Sequence, residues 1–153
     1  MIGIMDIGHL IQSAVAPVFL LSGVGVTLGV LTNRLARIVD RARVLEEKLG
    51  RAVTFKDKSA GTDARRRAID LALRVLVRRA RYINVAITLS TTSALLVSLV
   101  VILLFASAFL DLHLPLAIAL VFVASMIVLT GAYVAFLIEV RIATAALRIG
   151  TPY

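Results

Sequence analysis

Three long stretches of this chain, Leu10–Thr32, Ile83–Leu110 and Leu114–Ile138, contain no Asp, Glu, Lys or Arg. Each exceeds the roughly 20 residues that carry an α-helix across a hydrocarbon core of about 30 Å. Each run can therefore span as an α-helix. The predicted fold class is therefore all-α: an integral membrane protein with three transmembrane helices, forming one membrane domain over residues 1–153. Composition agrees, because 60% of the residues are hydrophobic and an ordinary soluble domain holds about half. The first run is the most diluted, by Gln12, Ser13, Pro17, Ser22, Gly23, Gly25, Thr27 and Gly29, and is expected to need helical neighbours.

The charge is unevenly placed. Fifteen of the 17 Lys and Arg residues fall between Arg34 and Arg81, against six acidic residues, a net +9 for that segment alone. Loops rich in Lys and Arg remain in the cytoplasm. The Met1–His9 segment carries Asp6 and no basic residue, the Asp111–Pro115 connection carries Asp111 and none, and the tail carries Arg141 and Arg148. The expected topology has the N-terminus outside, residues 34–81 inside and the C-terminus cytoplasmic. A cleaved signal peptide is the competing reading of the first run. It is disfavoured because no Lys or Arg precedes the apolar run, Asp6 and His9 interrupt it, and Pro17 would follow the Ala14-Val15-Ala16 cut.

No Gly or Pro occurs between Gly29 and Gly50 or from Thr62 to Leu114, so the first two spans are expected to continue as helix beyond the membrane. Leu35, Ile38, Ala42, Leu45 and Leu49 form one apolar stripe; Ile69, Ala72, Leu76 and Ile83 form another, interrupted by Arg79. At about 1.5 Å per residue both extensions reach roughly 25 Å, matching in length as a cytoplasmic helical hairpin over about 34–81, with Gly50–Gly61 as its loop. Its excess charge can act through topology alone or through attraction to anionic lipid headgroups. Nucleic acid is not an expected partner, since only Phe55 and Tyr82 are aromatic there and no recognition motif occurs.

The blocks Ala16-Pro17-Val18-Phe19-Leu20-Leu21 and Leu31-Thr32-Asn33-Arg34-Leu35-Ala36-Arg37-Ile38-Val39-Asp40-Arg41-Ala42-Arg43, with Arg78-Arg79-Ala80-Arg81-Tyr82-Ile83-Asn84 and Ala86-Ile87-Thr88, resemble a family of small bacterial membrane proteins of unknown function. The resemblance covers nearly the whole chain. It implies a bacterial inner (plasma) membrane location and no activity, so no residue role is carried over from it.

Several residue groups are candidates for function. Ser22, Gly25, Gly29 and Thr32 share one face of the first span, including a GxxxG spacing that permits close helix approach. That face is expected either to pack within one protomer, to drive self-association, or to line a pore. Asn84, Thr88, Thr91 and Ser98 form a polar stripe on the second span, read either as hydroxyls satisfied by their own i−4 carbonyls or as a row facing water. Asn33, Arg34, Arg37, Arg81 and Glu139 reach a similar depth at the inner surface. Glu139 is expected either to pair with Arg34 or Arg81 or to stand solvated among headgroups. Asp6 with His9 and Asp111 with His113 are weak cation pairs, and no metal site or cofactor is expected.

The chain has no cysteine, and no HExxH, phosphate-loop or nucleophile-elbow motif. It is accordingly expected not to be an enzyme. Two functions remain open: a homo-oligomeric ion channel or pore with Arg34 and Arg37 flanking its inner mouth, or a non-conducting scaffold or regulatory subunit binding anionic lipid or a partner protein.

Overall fold

The structure is a computed structural model. It describes the backbone of residues 4–54, 60–110 and 114–148, and the side chains of residues 8–9, 11–50, 67–110 and 114–144. Three helices account for these residues: α1 (Ile4–Thr54), α2 (Ala60–Phe109) and α3 (Pro115–Arg148). All three are long and apolar enough to cross a membrane. The first two continue well beyond the length that crossing needs, as uninterrupted helix into the basic segment.

Helix ends follow local chemistry. Pro115 opens α3, where its missing N–H removes a donor that the first turn cannot pair. The carbonyl of Leu114 accepts from Ile118 N at 3.1 Å. Helix α1 continues through Pro17 without a break. It also continues through Gly50 to Thr54, and α2 starts at Ala60, before Gly61. The connection is thus narrower than the glycine-bounded loop expected from sequence, because one glycine costs a helix only about 1 kcal/mol. Residues 55–59, which include Lys56, Asp57, Lys58 and Ser59, lie outside the described residues.

Packing follows a seven-residue repeat. The buried row of α1 is Pro17, Val24, Leu31 and Ile38, and that of α2 is Ile69, Leu76, Ile83, Ser90 and Val97. This is the period of helices that wrap around each other in a left-handed sense. Helix α2 has a second buried row, Ala86, Ser93 and Val100, and α3 meets α2 through Ser125, Leu129, Ala132 and Ala135. The Ala and Ser residues of this seam allow close approach of the two backbones. Ser93 Oγ donates to the carbonyl of Ser125 across this seam at 2.9 Å.

Helix α2 is therefore central. It packs on α1 along one row and on α3 along the other, while among the described residues no Cα of α1 comes within 8 Å of one in α3. The main cluster of buried side chains, Leu31, Ile38, Leu76, Ile83, Ala86 and Ala135, sits toward the basic end, with Leu35, Ala42 and Leu45 packed against it. Elsewhere the apolar surface faces outward. Only 22%, 17% and 22% of the most apolar windows of α1, α2 and α3 are buried within the chain, so lipid or other copies must cover the rest.

Ile83→Ala is expected to cost about 2 kcal/mol in detergent unfolding, the low end for such truncations, because the side chain stays in an apolar solvent when the helices separate. Leu95→Ala, at a position 67% exposed, should change stability by less than about 0.5 kcal/mol. Equal losses at the two positions would contradict this packing.

Candidate functional site

A buried carboxylate closes the basic end of the three-helix row. Glu139 of α3 has no solvent exposure. Its Oε1 accepts from Arg79 Nε at 3.0 Å and from Arg79 Nη2 at 2.8 Å. Its Oε2 lies 3.2 Å from Arg34 Nη2, within ion-pair distance but outside hydrogen-bond geometry. The side chains of Arg34 and Arg79 retain 31% and 17% exposure, and the Arg34 guanidinium also stands 5.1 Å from the centre of the Phe136 ring. One residue from each helix thus meets at a point, and α1 is tied to α3 by side chains alone. Nearer mid-membrane, Thr27 Oγ1 and Tyr133 Oη lie 3.3 Å apart in a second such link.

Helical repetition explains why these residues converge. With 3.6 residues per turn, a residue three places after a seam position lies on one flank of the seam. A residue one, five or eight places after lies on the other. On α1, Thr27 and Arg34 stand three after Val24 and Leu31 and reach α3. On α2, Arg79 and Ser93 stand three after Leu76 and Ser90 and do likewise.

The polar stripes occupy the opposite flanks. Ser22, Gly25, Gly29 and Thr32 follow α1 seam positions by one or five residues, and Asn84, Thr88, Thr91 and Ser98 follow those of α2 by the same steps. In an antiparallel pair the two flanks face the same way, so both stripes lie on one side of the α1–α2 pair, away from α3. All eight residues are exposed except half-buried Ser98. A Cβ built on Gly25 or Gly29 meets nothing within 4 Å, so packing inside one protomer does not account for this face. Thr32, Thr88, Thr91 and Ser98 donate to carbonyls three or four residues back.

The residues grouped from sequence at the inner surface separate in the same way. Arg34 reaches Glu139, whereas Arg81 is exposed on the flank away from α3, five places after Leu76. The second partner of Glu139 is Arg79, visible in the sequence only as an interruption of the Ile69–Leu76–Ile83 stripe. A charged residue on a buried stripe calls for an opposite charge facing it, and that signal pointed to Glu139. Asn33 is exposed. Arg37 lines a groove with Arg34 and Arg79 on the α3 flank. The expectation that Arg34 and Arg37 flank the mouth of a path lined by either stripe is therefore corrected, since they stand on the other side of the hairpin. Arg81, Arg74 and Arg78 instead line a groove that prolongs the Asn84 stripe toward the basic end. Asp111, His113 and the side chain of Asp6 lie outside the described residues.

A row of three long apolar helices, tied at one end by a buried ion pair, defines a multi-pass helical membrane protein. Residues 14–149 match the family described as "Protein of unknown function (DUF2721)", and the chain belongs to that family. No curated protein and no solved structure matches it.

Glu139→Gln should lower stability by about 3 kcal/mol, because it leaves two partly buried guanidiniums without their anion. In double-mutant cycles with Glu139→Gln, Arg79→Gln should be strongly non-additive, and Arg81→Gln additive within about 0.5 kcal/mol. Coupling to Arg81 in place of Arg79 would contradict the geometry.

Proposed function

We propose that this protein is a homo-oligomer of a bacterial plasma membrane, in which the α1–α2 face turned away from α3 is covered by further copies and lines a path for small ions. The observation that carries this reading is the convergence of two polar stripes, from separate spans, on one uncovered face. Three helices in a row have no interior that could hold a water path, so such a path has to form between copies. Gly25 and Gly29 let backbones approach there. Hydroxyls that donate to their own carbonyls still present acceptor lone pairs outward. The basic segment is read as cytoplasmic, with the N-terminus outside and the C-terminus inside, on the bias of Lys and Arg. Arg74, Arg78 and Arg81, against the single acid Asp70 that lines the same groove, then stand at the inner mouth and favour anions by focusing the field. The protein is read as non-enzymatic.

A non-conducting scaffold or regulatory subunit is the second reading. The back-bonded hydroxyls favour it, because a hydroxyl satisfied by its own helix tolerates a dry helix contact as well as a wet one.

Native mass spectrometry in mild detergent should give an oligomer that Gly25→Leu and Gly29→Leu weaken; a monomer from the unaltered chain contradicts the proposal. In liposomes, anion flux should exceed cation flux, and Arg74→Glu/Arg81→Glu should reverse that order. An oligomer without flux under voltage, osmotic and pH steps leaves the scaffold.

A further inference from the structure

We infer that the groove between α1 and α2 on the α3 flank is a binding site for the phosphate of one anionic phospholipid headgroup. Four guanidiniums line it, Arg34, Arg37 and Arg41 from α1 and Arg79 from α2, and Asp40 is the single acid among the lining residues. The buried side chains of Ile38 and Leu76 form its floor. Its volume of about 730 Å³ is ample for a phosphate with its glycerol backbone.

Charge makes the groove incomplete by itself. Four cations face one acid within it, and Glu139 behind Arg34 and Arg79 balances only one more. Like charges gathered in one groove repel unless an anion lies among them. Arginine suits the task, since its planar fork grips phosphate oxygens bidentately. Glu139 fixes Arg79 through Nε and Nη2, which leaves Nη1 unused by that pair and already oriented. Part of the ordering cost of binding is thereby removed in advance. Glu139 acts here as a positioning residue.

Depth selects a lipid over a soluble phosphate compound. The first charge-free run ends at Thr32 and Arg34 follows two residues later. From Arg34 to Arg41 the helix rises about 10 Å, close to the thickness of one headgroup layer, about 5–8 Å. The groove therefore opens at the level where phospholipid phosphates lie.

The site rests on geometry independent of the ion path and is tested on the full chain in nanodiscs of phosphatidylcholine titrated with phosphatidylglycerol, with retained lipid read by native mass spectrometry. Phosphatidylglycerol should be retained in preference to phosphatidylcholine. The exposed pair Arg37→Gln/Arg41→Gln should weaken that retention roughly 30-fold, the effect of two basic residues at a membrane surface. The charge-matched control Arg43→Gln/Arg67→Gln should leave retention unchanged. Equal retention of the two lipids, or equal loss in the two variants, would overturn the site. Displacement of phosphatidylglycerol by millimolar inorganic phosphate would overturn the lipid as its occupant.

Discussion

A carboxylate without solvent exposure stays in place only if cations are buried with it, and Glu139 imposes that condition on all three helices at once. Withdrawing each ion from water costs several kcal/mol, repaid only when geometry and hydrogen bonding are good. Arg79 meets that demand with two bonds to one oxygen, and Arg34 supplies the second charge from α1. The registers of α1, α2 and α3 are thereby fixed against one another at a single level. Apolar packing in lipid specifies register weakly, because lipid tails are as apolar as the side chains they replace. An ion pair at the end of the apolar core discriminates more sharply, since a shift of one turn strands a charge.

The same register divides the α1–α2 hairpin into two unlike sides. The side toward α3 carries the ion pair, the Thr27–Tyr133 contact and the Arg37–Arg41 groove. The other side carries the small and hydroxylated stripes and, further along, Arg74, Arg78 and Arg81. Charge that looks like a single basic segment in sequence is thus two separate basic surfaces. One of them is continuous with a buried acid and suits a phosphate held at headgroup depth. The other prolongs an exposed polar face, where repetition of the chain around an axis would bring several basic residues together.

Much of the fold was legible before the structure. Charge-free runs gave the three spans, and the gap without Gly or Pro after Gly29 gave the continuation of α1. The stripe through Leu35, Ile38, Ala42 and Leu45 marked the packed side of the hairpin. The choice between Arg79 and Arg81 was less accessible. The two residues are close in sequence and differ only in which flank of the α2 seam they occupy, and that matters only once α3 is known to lie on one flank. Arg34 and Arg37 were placed at the inner mouth of the polar stripes on depth alone. Depth is readable from distance along a helix, whereas azimuth has meaning only relative to a neighbour. Ala72 illustrates the same limit, being exposed although it continues the spacing of Ile69 and Leu76.

The division of the hairpin into an α3 side and a copy-facing side is tested most directly by disulfide trapping in native membranes, for which the cysteine-free chain is a clean background. Gly29→Cys, on the exposed small-residue face, should give a cross-linked dimer on mild oxidation, and Leu137→Cys, on the outward face of α3, should remain monomeric. Cross-linking of Leu137→Cys with none from Gly29→Cys would place the contact between copies on α3 and contradict the account.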